Sequence, residues 1–119
     1  MAFDFGDSIR FGASTGAEDE KDLEKIEMSL PLYRRYLEGF VPACASLSRW
    51  EIKTLPLGAK LMTLECGLRF LTDYLDGDHY FHIARPEHNL DRARTQFKLV
   101  ADMEAKWQQM QQLAEGYLP

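Results

Sequence analysis

Cysteine, basic charge and long apolar runs are the scarce features of this sequence. Its 119 residues hold only two cysteines, Cys44 and Cys66. They stand far apart, so they read as small core hydrophobes with reduced thiols, not as a disulfide or a metal pair. Lys and Arg number 14 against 19 Asp and Glu, giving a formal net charge of −5. That balance excludes a general nucleic-acid binder, which needs clustered cations to meet phosphates. No apolar run approaches the ~20 residues that span a bilayer, and no basic-then-apolar signal peptide opens the chain, so a cytoplasmic location is expected. Gly-rich phosphate loops, an HxD catalytic loop and an activated Ser or Cys arrangement are all missing from these residues. No stretch alternates like a sheet strand and there is no internal repeat. What remains is a globular composition, 45% hydrophobic and 28% charged, of one-domain size.

The helical content is concentrated in residues 57–81, which read as a long central helix and its exit turn. Leu57, Leu61, Leu64, Leu68, Leu71 and Leu75 alternate in steps of four and three and form one seam, expected to be a packing surface. Met62, Thr63, Cys66, Gly67, Phe70 and Tyr74 fill most of the opposite arc. A helix apolar nearly all round is expected to be buried, with neighbours on two sides. Gly67 in mid-helix costs about 1 kcal/mol against Ala, tolerable where another element approaches closely.

Around that centre the chain divides in order. Residues 1–12 form an apolar and acidic opening with no preceding element to pack against, and 13–28 lead through a charged run expected to be a solvated connector or short surface helix. Ser29 is a candidate N-cap for a helix with Leu30, Tyr33, Leu37, Phe40 and Val41 on one face. Ser48 and Glu51 fit a capping box, and Leu55-Pro56 is expected to interrupt the short helix that follows before the central one restarts near Leu57. Asp76-Gly77-Asp78 should end the central helix, with Gly77 left-handed. Residues 79–88 form an aromatic link, and Asn89 is expected to cap a final helix running to about Ala114. The expected architecture is all-α, a single small helical bundle or orthogonal array over 1–119, with an N-terminal segment 1–28 and a helical core 29–119.

Chemistry could sit on the polar strip of the central helix. Arg69 offers a planar donor fork for carboxylate, phosphate or vicinal hydroxyls. Its spacing from Glu65 and Asp73 equally suits intrahelical bridges worth a few tenths of a kcal/mol. His79, His82 and His88 lie near Asp76, Asp78 and Glu87, but their spacing fits no helical His pair or zinc-finger pattern, so no metal site is expected.

Three blocks carry a resemblance: FDFGDSIRFGASTGAEDE, LMTLECGLRFLTDYLDGDHYF and HNLDRARTQFKLVADME. Together they resemble the C-terminal end of the anomeric N-acetylhexosamine kinases, members of the aminoglycoside phosphotransferase-like kinases that are sometimes labelled mucin-desulfating. The resemblance implies a C-terminal helical subdomain of that fold. It also implies that Arg69 and Tyr80 contact the sugar and that Phe11 forms a wall of the sugar pocket. Intact relatives use ATP and magnesium, with a catalytic Asp and a nucleotide-binding lobe preceding the matched region. Asp4-Phe5-Gly6 corresponds to a segment after the metal-binding Asp, so Asp4 is not assigned to magnesium. The expectation is a truncated substrate-binding subdomain with no catalytic residue, cofactor or metal of its own. The alternatives are a helical interaction module with a vestigial sugar pocket, or a subunit completed by a separately encoded catalytic chain. A homo-oligomer is expected, most simply a dimer, because the central helix has two apolar faces and few helices to cover them.

Overall fold

The computed structural model describes residues 2–44 and 46–118, and among these it is all-α. Its helices are α1 (Ala2–Gly12), α2 (Leu30–Ala43), α3 (Arg49–Leu75), α4 (His88–Ala105) and α5 (Trp107–Glu115), with one 3-10 turn at Leu23–Lys25. No helix among the described residues is long and apolar enough to cross a membrane.

α3 is the axis of the bundle, and it is longer than its sequence suggests. The Ser48 hydroxyl accepts from the Glu51 amide and the Glu51 carboxylate accepts from the Ser48 amide, so the expected capping box starts the helix. Pro56 does not interrupt it. A proline inside a helix forfeits a hydrogen bond and costs ~3 kcal/mol in isolation. Here Ile52, Leu55 and Pro56 are themselves buried, so tertiary packing carries the helix through.

The face α3 turns inward is not the leucine seam. Ile52, Leu55, Ala59, Thr63, Gly67 and Phe70 are buried, whereas Leu57, Leu61, Leu68 and Leu75 stand 44%, 42%, 49% and 75% exposed. Leu64 and Leu71 are half-buried, so only one side of the seam reaches the bundle, which corrects the expectation that the whole seam packs inside. The reason is close approach at small residues. A Cβ on Gly6 would fall 2.3 Å from the Gly58 carbonyl oxygen, so α1 crosses α3 almost backbone to backbone. On α4's side, a Cβ on Gly67 would come within 2.8 Å of the Phe97 ring.

Residues 1–12 were expected to lack cover, but from Ala2 onward they are α1, with Phe5 and Ile9 fully buried in the core. Met1 lies outside the described residues. The charged run within 13–28 carries a short surface helix, the 3-10 turn Leu23–Lys25 with none of its residues buried, as expected, but the segment around it is tied into the bundle. A single antiparallel bridge joins Ser14 to Met28, the Ser29 amide donates to the Ala13 carbonyl at 2.7 Å, and Ala13, Ile26 and Met28 are buried. The Asp102 carboxylate accepts from the Met28 amide at 2.6 Å and Lys106 donates to the Met28 carbonyl at 2.8 Å, fastening the segment to α4.

α2 forms as expected, with the Ser29 hydroxyl accepting from the Leu32 amide and Tyr33 and Leu37 buried. The Tyr33 hydroxyl donates to the Met110 carbonyl at 2.9 Å, joining α2 to α5. The final helix is not continuous. Lys106 ends α4 and begins α5, its ammonium held by Asp102, Glu27 and the Met28 carbonyl.

Candidate functional site

The C-terminal half of α3 builds one wall of a cavity of about 400 Å³, and the link to α4 builds the other. Gly77 and Asp78, both at positive φ, reverse the chain directly after α3 and bring residues 79–81 back along its last turns. Arg69, Glu65, Thr72 and Asp76 face Tyr80 and Phe81 across this space.

Asp73 is the group that fixes the geometry. It is buried, and its carboxylate accepts from the Tyr80 amide at 2.8 Å, the Phe81 amide at 3.0 Å and the Asn89 side-chain amide at 2.8 Å. Burial opposes its ionisation, yet the Phe81 and Tyr80 amides, Asn89 and the His79 amide overcome that and hold the carboxyl below its usual value. Asp73 therefore does not serve an intrahelical bridge to Arg69. Asn89 is not the α4 cap either: Glu87, at φ 65°, precedes the helix, and Asn89 donates to both Asp73 and Asp78 from the first turn. Its own carbonyl accepts from Arg92, which also donates to the His82 carbonyl, so one chain of hydrogen bonds ties the link to both helices.

With Asp73 occupied, Arg69 is left to the aromatic rings. Its guanidinium lies 5.4 Å from the Tyr80 ring centre and 5.7 Å from that of Phe81. Among the described residues no carboxylate comes within 4.0 Å of it, so neither expected helix bridge forms. Phe81 in turn packs on Phe70 at 4.7 Å, and Tyr80 meets Phe81 edge-on at 4.8 Å. The cavity thus offers a donor fork, an aromatic wall and the carboxylates of Glu65 and Asp76 as acceptors.

Arg69 and Tyr80 line the same cavity; Phe11 is not among the residues lining it. Phe11 is largely exposed at the end of α1 and lines a separate cleft of about 210 Å³ with Arg10, Ser14, Glu18 and Gln96. Burial, with the Glu18 and Asp7 carboxylates, holds the Cys66 thiol above its ordinary value against the opposing pull of Arg10 and Arg69. The buried Gln96 carbonyl oxygen has no hydrogen-bond partner.

The histidines do not converge. His88 Nδ1 accepts from the Ala84 amide at 3.1 Å, which leaves Nε2 to carry the proton toward Asp19, 3.0 Å away. Among the described residues no three His, Cys, Asp or Glu side chains are grouped so as to hold a metal ion. Reading the sequence missed Phe81 as a wall and Asp73 and Asn89 as the joint between helices, since a contact across 16 residues leaves no periodic trace. No known protein-family model matches the chain.

Proposed function

We propose that the Arg69–Tyr80 cavity binds an N-acetylhexosamine, and that these residues are the sugar-binding part of an anomeric sugar kinase, without catalytic activity by themselves. The observation that carries this reading is an unbridged guanidinium placed against two aromatic rings in a cavity that otherwise presents carboxylates. A neutral polyol suits that mixture better than an anion does. Its hydroxyls pair with Arg69 and the Tyr80 phenol as donors and with Glu65 or Asp76 as acceptors, and the apolar face of its ring packs on the aromatic wall. An anion would gain Arg69 but meet the carboxylates as like charges. The cavity's volume of about 400 Å³ falls within the usual range for small-molecule sites. The resemblance adds the choice of sugar and the reaction, phosphoryl transfer from ATP to the anomeric hydroxyl. The magnesium of that reaction finds no suitable group of ligands among the described residues, so no step of the transfer is assigned to them.

Calorimetry of the 119-residue chain with N-acetylglucosamine and N-acetylgalactosamine tests the reading. Millimolar or tighter binding is expected, weakened at least tenfold in Arg69→Ala and several-fold in Tyr80→Phe, which keeps the ring and loses the hydroxyl. Phe11→Ala should leave it unchanged. A flat titration of the unmodified chain overturns the proposal, and sugar-dependent ATP consumption by the pure chain overturns its catalytic incompleteness.

A further inference from the structure

The cavity beside α3 is long for one sugar ring. Glu65 and Asp76 both line it, and their places in the sequence set them about three helical turns apart, roughly 16 Å along the axis. A sphere of about 400 Å³ is little more than half that span across, so the space is a groove that follows the helix. Helical side chains lean toward the N-terminus, so the two carboxylates keep the separation of their backbones, and Glu65, the longer, leans away from Asp76. Asp73 holds the Tyr80 and Phe81 amides beside the middle of the groove, where Arg69 meets both rings. Toward one end lie Glu65 and the half-exposed Leu68, and toward the other Thr72 and Asp76. Among the described residues neither Glu65 nor Asp76 is paired with a cation.

We infer that the groove takes two linked sugar rings, an N-acetylhexosamine disaccharide lying along α3 with one ring toward each carboxylate. The inference rests on the sugar-binding reading above and extends it to the size of the ligand. A single pyranose ring held to one carboxylate by a hydrogen bond of about 2.8 Å leaves the other out of reach. The order of donors and acceptors along the groove also suits a disaccharide. A guanidinium can only donate and an ionised carboxylate can only accept. The oxygen that bridges two rings, like the oxygens within them, carries no proton and can only accept, and it falls at Arg69. The outer hydroxyls have protons to give, and they fall at Glu65 and Asp76. One ring lays an apolar face on Leu68, and the other lies over Thr72 against Tyr80.

Calorimetry of the full chain with N,N′-diacetylchitobiose, two N-acetylglucosamine units joined by one glycosidic bond, tests this beside N-acetylglucosamine itself. The disaccharide is expected to bind at least tenfold more tightly. Glu65→Gln and Asp76→Asn keep the size of each side chain and remove its charge. Each should weaken the disaccharide several-fold with unchanged helical circular dichroism. Saturation-transfer NMR should show both acetyl methyl groups receiving magnetisation from the protein, which a ligand held by one ring would not give. Three outcomes overturn the two-ring inference while the sugar site stands: N-acetylglucosamine binding as tightly as the disaccharide, saturation confined to one ring, or disaccharide affinity indifferent to both variants. If neither sugar binds, the site itself is overturned and the inference falls with it.

Discussion

The two faces of α3 invert the usual relation between hydrophobicity and burial. The outward face is rich in leucine, while the inward one mixes Ile52, Leu55 and Phe70 with Gly58, Ala59, Thr63 and Gly67. What decides the matter is how near a neighbouring backbone can come. At Gly6 and Gly58 the helices touch through their main chains, and at Gly67 the Phe97 ring lies where a side chain would have to stand. Small residues let α1 and α4 bury α3 lengthwise, and no arrangement of bulky leucines would permit that separation.

The sharpest way to break the contrast is to put bulk on the inward face. Gly6→Val must displace the Gly58 carbonyl, which is backbone and cannot swing aside. We expect a loss of about 3 kcal/mol or failure to fold, read by urea denaturation. A variant as stable as the parent would mean that α1 does not cross α3 there.

Asp73 distinguishes the two ends of the inward face, because there packing gives way to hydrogen bonding. Its carboxyl sits lower in the folded chain than in the unfolded one, whose ordinary value is 3.8. The stability it contributes is therefore complete above that value and is lost as pH falls through the lower folded value. Amide exchange at Tyr80 and Phe81 should quicken in that acid range while the α1–α3 core stays protected. Asp73→Asn should remove the acid step, leave those amides fast at neutral pH and weaken the proposed sugar binding along with them. Equal exchange in the parent and variant at pH 7 would show that the link does not depend on the carboxylate.

The helices after Ser29 and Ser48, those two serine caps and the stop at Gly77 were legible in the sequence, because each rests on contacts within a few residues, whereas α1 was not read as a helix. The identity of the buried face was not, since periodicity reports a strip and says nothing of which strip is covered. Pro56 misled for a related reason: its local cost is real, but burial of Ile52 and Leu55 outweighs it. At the site, Arg69 stood out by residue type, whereas its freedom from Glu65 and Asp73 depends on a link that returns Tyr80 and Phe81 to Asp73. Lys106 looks like any helical lysine, and only its reach to the Met28 carbonyl accompanies the break between α4 and α5.

The smallest effect is expected where the sequence is most hydrophobic. Leu61 and Ala59 stand two residues apart on α3, one 42% exposed and the other fully buried. Truncating a buried leucine typically costs 2–5 kcal/mol, but Leu61 has little packing within its own chain to lose. Leu61→Ala should change unfolding free energy by no more than about 0.5 kcal/mol. Ala59→Leu, which adds bulk to the inward face, should cost about 1–3 kcal/mol under the same conditions. A Leu61→Ala penalty above 2 kcal/mol would mean that this part of the seam is packed within the chain after all, and that α3 is turned differently from the arrangement described.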